Sequence, residues 1–148
     1  MERLVWKLRI SLLWGAVAVL TMLHMLLDLA APGAIDDLRA GEINGMDASG
    51  PATIMWVLFV LVPLVLSIAT LVVPDVDSRW ANAVLGVILA GAWAAGFTEG
   101  GTAGAPLLTT SVIIASLLVV WHAWKWPTQR PVEAEQGRAP DRVAGTKV

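Results

Sequence analysis

Residues 52–73 read ATIMWVLFVLVPLVLSIATLVV, and this stretch decides the fold of the chain. It contains no charged side chain, and Pro51 and Pro74 lie immediately outside it. A helix needs about 20 mostly apolar residues to cross a hydrocarbon core about 30 Å thick. Within lipid such a segment must satisfy its own backbone hydrogen bonds, which an α-helix does. We therefore expect a membrane-spanning helix at residues 52–73.

Three further apolar windows flank this stretch, at residues 8–31, 79–98 and 105–126. The chain is 57% hydrophobic and 15% charged, and its charges fall mainly between the windows. Soluble domains average about 25% charged residues. The pattern predicts an all-α fold, an integral membrane four-helix bundle within residues 1–127. Residues 128–148 are polar and rich in Pro, Gly and charge, so they are expected to form a disordered cytoplasmic tail.

Proline and glycine mark the expected helix ends and one irregularity. Pro32 and Gly33 end the first helix, because proline cannot continue it and glycine accepts a left-handed cap. Pro63 lies inside the second window, where it removes a backbone hydrogen bond and predicts a kink.

In the loop at residues 32–50, Ile35 and Leu38 suit the apolar side of a short helix. The short link at residues 74–78 predicts that the second and third helices are antiparallel neighbours.

The basic residues predict the orientation. With four spans both termini lie on one side, which holds nine of the ten Lys and Arg residues, and the other side holds only Arg39. Because short cytoplasmic segments are enriched in Lys and Arg, we expect a protein of the cell membrane with both termini on the cytoplasmic side. Residues 1–31 also resemble a signal peptide, but their apolar part is longer than the usual 7–15 residues, which favours a retained helix.

Several function classes are excluded or lack support. The chain has no cysteine, so disulfides, thiolate metal sites and cysteine nucleophiles are excluded. A net charge of −2 without a basic cluster gives no reason to expect a nucleic-acid partner. No phosphate-binding loop, HExxH or GxSxG motif is present, so we expect no catalytic residue, metal site or cofactor.

Ionisable residues inside a membrane are costly and are therefore candidate sites. His24 and Asp28 lie four residues apart on the first helix and share a face with Thr21, and Glu99 ends the third helix at the same depth. One interpretation is an outward-facing polar or cation site of His24, Asp28, Glu99 and Thr21, since histidine changes charge near neutral pH. The other is that Asp28 and Glu99 mark the interface and His24 bonds to a neighbouring helix.

Two further sets of residues bear on helix contacts. On the fourth helix, Thr109, Thr110 and Ser111 can bond back to their own helix or across to His24. The third helix carries small residues at helical spacing, which let helices approach closely and predict that it is the most enclosed one. The small residues singled out for packing are Gly86, Ala90, Gly91, Ala94 and Ala95.

Short motifs spread along the chain carry a family resemblance. They are Arg9-Ile-Ser-Leu-Leu-Trp14, the Asp28 that closes the first helix, Arg79-Trp-Ala-Asn82 and Ala123-Trp-Lys-Trp-Pro127. Together they resemble a family of small bacterial four-helix membrane proteins, domain of unknown function 6326. The resemblance implies a bacterial inner-membrane protein with this topology and implies no activity. Members often have Tyr near the end of the first helix, where this chain has His24.

Three functions remain open at this point. A non-enzymatic structural or interaction role, with the lipid bilayer and a homo-oligomer as partners, is favoured by the small-residue helix and the scarcity of buried charge. A small oligomeric proton- or cation-linked transporter or channel is favoured by Pro63 and the polar outer residues. A membrane enzyme acting on lipid or quinone has the least support, because no reactive group is placed for it.

Overall fold

The computed structural model describes residues 2–43, 46–96 and 104–126. Within these ranges the chain is all-α, as the sequence predicted, with one additional strand pair of two residues per strand. The elements in chain order are α1 (Glu2–Leu29), α2 (Ala34–Ala40), β1 (Glu42–Ile43), β2 (Met46–Asp47), α3 (Pro51–Val72), α4 (Asp75–Ala95) and α5 (Ala105–Trp124).

The described residues form five helices, whereas the sequence predicted a bundle of four. The additional helix is the short α2, which lies in the loop between the first two apolar windows. Gly33 and Gly41 bound it with φ angles of 88° and 83°. Glycine reaches this left-handed region without steric cost, so the two residues turn the chain at both ends of α2. The expected apolar positions, Ile35 and Leu38, both lie on it.

The helix bounds differ from the apolar windows in a consistent way. α1 begins at Glu2 instead of residue 8, and α4 begins at Asp75 instead of residue 79. An apolar window measures the thickness of hydrocarbon, whereas a helix continues into the interface where water satisfies polar side chains. At the other end, α5 stops at Trp124, with Lys125 as its cap residue. Residues 97–98 and 127–148 lie outside the described residues.

Three helical segments are long and apolar enough to cross a membrane, as judged by length and composition. They are Leu4–Leu29, Thr53–Val72 and Ala105–Trp124. The predicted third span falls on α4, which does not reach this standard within the described residues. Its first turns hold polar residues, among them Arg79 and Asn82.

The four long helices pack in the order α3, α1, α5, α4. α1 lies against both α3 and α5, α5 also lies against α4, and α3 and α4 approach each other only slightly despite their short link. α3 and α4 do contact each other, as expected of helices joined by a short link, but they pack far less closely than α1 does against α3 or α5. The buried core lies between α1, α4 and α5, and its largest members include Trp14, Ile10 and Val119.

The exterior of the bundle is apolar on each long helix. Leu12 on α1, Val72 on α3, Ile88 on α4 and Leu107 on α5 are all 60% or more exposed. Water-soluble proteins rarely expose continuous apolar surface on this scale. The surface therefore suits a lipid environment, and α4 shares this property with the three apolar helices.

The hairpin in the loop contains Asp47, whose pKa lies below its ordinary value. Asp47 Oδ1 accepts hydrogen bonds from the Ser49 hydroxyl at 2.7 Å and from the Ser49 backbone N–H at 2.8 Å. These bonds, the hydroxyl's above all, favour the carboxylate and hold the pKa of Asp47 below 3.8. The stabilisation that these bonds give is fully present above the pKa that Asp47 has in the unfolded chain. It is lost as the pH falls through the lower pKa that Asp47 has in the folded chain.

We expect Ser49→Ala to raise the pKa of Asp47 towards 3.8, because the larger of its two causes is removed. Carbon-13 NMR titration of the Asp47 carboxyl group measures this shift. Ser49→Thr is the matched control, since it keeps the hydroxyl and should leave the pKa of Asp47 low. A pKa that does not change in Ser49→Ala would assign the effect to the backbone N–H instead.

Candidate functional site

His24 lies where α1 meets α5, and both of its ring nitrogens have partners. Nδ1 lies 3.1 Å from Oδ2 of Asp28, one helical turn further along α1. Nε2 lies 3.0 Å from the Thr109 hydroxyl on α5. Both His24 and Thr109 are buried, whereas the Asp28 side chain is 20% exposed. The result is a chain of hydrogen bonds, Asp28–His24–Thr109, that runs from the bundle interior to its surface.

This arrangement can hold a proton without losing a hydrogen bond. In neutral imidazole one ring nitrogen donates and the other accepts, whereas in imidazolium both donate. The Asp28 carboxylate accepts in either case. The Thr109 hydroxyl can donate to Nε2 or accept from it. The geometry is therefore compatible with His24 in both charge states.

An aromatic ring packs directly against His24, and a second ring packs against the first. The ring of Trp93 on α4 meets His24 edge to face, with centroids 4.9 Å apart. Phe59 on α3 contacts Trp93 in turn, at 5.7 Å. His24 thus touches side chains of α1, α4 and α5, and one aromatic ring connects it to α3.

The other predicted site residues have different positions. Thr21 is fully buried one turn before His24, and its hydroxyl has no hydrogen-bond partner among the described residues. Glu99 lies outside the described residues. Within the described part of the chain, no three His, Asp or Glu side chains are grouped closely enough to hold a metal ion. Thr110 and Ser111 donate to carbonyls of their own helix, while Thr109 alone reaches across to His24.

The small residues of α4 divide between two faces. Gly86 lies against α5, where an added Cβ would stand 2.8 Å from Val120 Cγ2 and 3.2 Å from the Ser116 carbonyl oxygen. Ala90 is also buried. Gly91, Ala94 and Ala95 are exposed on the surface of the bundle. α4 is therefore not the most enclosed helix, since α1 and α5 each lie between two other long helices.

A second polar cluster, which the sequence interpretation did not identify as a site, joins α1, α3 and α4. Asn82 Oδ1 accepts from Trp14 Nε1 at 2.6 Å and lies 3.1 Å from the Thr70 hydroxyl. Its Nδ2 donates to the carbonyl oxygen of Ser78 at 2.7 Å. An indole N–H can only donate, so Trp14 fixes the orientation of the amide. The available signal was an amide residue, Asn82, inside the predicted third span at residues 79–98.

A cavity of about 190 Å³ lies at the loop end of the bundle, the end that carries α2 and the strand pair. Asp28 lines this cavity and at the same time bonds to His24. The buried hydrogen-bonded chain therefore ends at a space that is open to the exterior.

We expect Thr109→Val to lower the free energy of unfolding by about 0.6–1.7 kcal/mol, the range of hydrogen bonds between membrane helices. Valine has the same shape and leaves His24 Nε2 without its partner. Thr110→Val is the matched control, because that neighbouring hydroxyl bonds only to its own helix. Reversible unfolding in mixed micelles measures both. Equal losses in the two variants would contradict a bond between α1 and α5.

These features together indicate a membrane protein: three membrane-capable helices, an apolar exterior and polar contacts between helices. No family model, curated protein or solved structure matches the chain.

Proposed function

We propose that this chain is a multi-pass membrane protein with a non-enzymatic structural or interaction role. In this proposal the four long helices cross a bacterial inner membrane and both termini lie in the cytoplasm. Nine of the ten basic residues then lie on the cytoplasmic side, as is usual for short segments beside a membrane. The exposed apolar side chains of α4 support a fourth crossing beside the three apolar helices.

The observation that carries the non-enzymatic role is the mutual pairing of polar side chains inside the bundle. His24 bonds to Thr109 between α1 and α5, and Asn82 links α4 to Trp14 on α1 and to Thr70 on α3. Ser11 and Ser67 bond between α1 and α3 at 3.2 Å. Polar groups used in this way hold helices together, as hydrogen bonds between membrane helices commonly do.

The interaction role includes a homo-oligomer. The exposed Gly91 and Ala95 on α4 are spaced by four residues and have Ala94 beside them. Small residues at this spacing allow a second helix to approach closely in a membrane. We expect Gly91→Leu to reduce the oligomeric mass in maltoside micelles, measured by light scattering. A wild-type protein that is monomeric at all concentrations would contradict this part of the proposal.

The absence of cysteine makes the topology directly testable. Single cysteines are introduced in place of Arg39, Pro74 and Gly96, which are all exposed. Intact cells are then treated with a membrane-impermeant maleimide. Four crossings predict labelling at residues 39 and 96 from outside, and labelling at residue 74 only after lysis. If residues 74 and 96 react from the same side, α4 does not cross and the bundle has three spans.

A second candidate is a small oligomeric proton- or cation-linked transporter with an outward-facing polar site. One observation favours it: Asp28 both bonds to His24 and lines the cavity at the loop end. The chain Asp28–His24–Thr109 could therefore exchange a proton with the exterior. Glu99 and Thr21 belong to this candidate site as the sequence predicted it, without a described contact to His24.

Flux through liposomes distinguishes the two roles. The purified protein is reconstituted with a pH-sensitive dye inside, and pH and cation gradients are imposed. The transporter predicts flux that Asp28→Asn and His24→Ala reduce by at least tenfold while both variants remain folded. The structural role predicts no flux above empty liposomes for the wild type, and Asp28→Asn that folds and assembles normally.

A further inference from the structure

The cavity at the loop end is built by four elements that converge there. The end of α1 and the first turns of α3 form its base, and α2 and β1 lie beside it. Its volume of about 190 Å³ corresponds to roughly six water molecules at about 30 Å³ each. It is therefore smaller than pockets for drug-sized ligands, which begin at about 300 Å³. The volume suits a small molecule or a small group of a larger one.

The charge of the cavity has one sign. Asp28, Asp37 and Glu42 line it, and none of the described residues that line it is a lysine, arginine or histidine. Arg39, the basic residue of the same loop, pairs with Asp36 at 3.2 Å, outside the cavity lining. A cavity with acidic groups and no basic group attracts cations and repels anions.

The remaining lining is apolar and aromatic. Leu29, Leu38 and Ile43 contribute aliphatic surface, and Trp56 contributes an indole ring. Trp is the best aromatic partner for an ammonium group, because the negative face of the ring attracts a cation.

The spacing of the carboxylates distinguishes an organic cation from a metal ion. Within the described residues no three acidic or histidine side chains are close enough to coordinate one ion. A divalent metal needs several oxygen ligands in direct contact, at about 2.0–2.6 Å. A bulky ammonium group has no such requirement, because it is attracted by carboxylates at a distance and by apolar and aromatic contact.

We propose that the cavity lined by Asp28, Asp37, Glu42 and Trp56 binds a small organic ammonium ion that carries apolar substituents. The site depends neither on transport nor on the number of membrane crossings, so it goes beyond the proposed function. Two of its carboxylates, Asp37 and Glu42, belong to no hydrogen-bonded contact of the bundle interior described above.

Choline is the probe, since its quaternary ammonium carries apolar methyl groups. Its neutral isostere 3,3-dimethylbutan-1-ol has the same shape without the charge and is the matched control ligand. Isothermal titration calorimetry on the full-length chain in maltoside micelles measures both. We expect choline to bind at least tenfold more tightly than the alcohol, because charge attraction and ring contact both require the cation.

Neighbouring residues on α2 supply a matched pair of variants. Asp37 lines the cavity, whereas Asp36 is 81% exposed outside it. Asp37→Asn is expected to weaken choline binding about fivefold, the upper end for a solvent-accessible charge pair. Asp36→Asn is expected to leave it unchanged. Trp56→Leu should weaken binding about tenfold, and circular dichroism establishes whether that variant is folded.

A second arm identifies the source of the ammonium group. The same titration is carried out in nanodiscs of phosphatidylglycerol and in nanodiscs that also contain phosphatidylethanolamine. An apparent Kd for choline that rises with phosphatidylethanolamine assigns the site to a lipid headgroup. An unchanged Kd assigns it to a free amine from solution.

Two results would overturn the proposal. If choline and 3,3-dimethylbutan-1-ol bind equally, or if neither binds at millimolar concentration, the cavity does not select a cation. Equal effects of Asp36→Asn and Asp37→Asn would show that any binding reflects the general negative charge of the loop. Since neither measurement uses a gradient, a failed flux assay leaves both conclusions intact.

Discussion

Replacing Gly86 with alanine is expected to separate α4 from α5 and to lower the free energy of unfolding. The added Cβ would stand 2.8 Å from Val120 Cγ2 and 3.2 Å from the carbonyl oxygen of Ser116. Neither neighbour yields easily, because valine is stiff at χ1 and a carbonyl belongs to the helix backbone. Overpacking of this kind costs about 1–3 kcal/mol.

Gly91→Ala is the control for this prediction, because it lies on the same helix and has nothing within 4 Å of an added Cβ. Within one protomer the change removes only the conformational freedom of glycine, which favours the folded helix by about 0.5–1 kcal/mol. We therefore expect the two variants to differ by about 2 kcal/mol in unfolding from mixed micelles. If Gly86→Ala is as stable as Gly91→Ala, the close approach of α4 and α5 is not as described.

The second large effect is expected at Asn82. Asn82→Ala removes the acceptor of the Trp14 indole N–H, and both residues are at most 1% exposed. A buried donor without a partner and the space left by the amide together cost about 2–3 kcal/mol. The same unfolding measurement applies. Ser111→Ala serves as control, since the Ser111 hydroxyl bonds to its own helix, and its effect should stay within about 0.5 kcal/mol.

A double-mutant cycle with Trp14→Phe isolates the contact between the two helices. If the indole N–H and the Asn82 amide interact, the losses of the single variants are not additive, and the coupling energy is about 1 kcal/mol. Additive losses would mean that Asn82 stabilises α4 through Ser78 alone.

Local spacing explains which contacts the sequence could predict. His24 and Asp28 lie one turn apart on one helix, so their contact follows from helix geometry alone. The possibility that Thr109 reaches His24 was among the alternatives, but its neighbours Thr110 and Ser111 carry a hydroxyl group as well. The rotation of α5 about its axis decides which hydroxyl faces His24, and an apolar helix with little asymmetry does not encode that rotation visibly.

Contacts between helices account for what the sequence did not predict. The Trp14–Asn82–Thr70 cluster joins residues from three helices, and its geometry depends on the packing order of the bundle. That order was not predicted, because the short link between α3 and α4 suggested direct packing. In the structure α1 lies between α3 and α5 instead. The fourth crossing and the orientation of the termini stay predictions that the cysteine labelling tests.

The packing order has a consequence for how the chain assembles during synthesis. α1 and α3 can join as soon as both have left the ribosome, because they lie directly against each other. α4 emerges next, yet the helix against which it packs most extensively is α5, which emerges last of the described helices. Until then α4 has only limited contact with the earlier helices, through side chains such as those of Asn82 and Trp93. The nascent protein therefore passes through a stage in which α4 is present without its main packing partner.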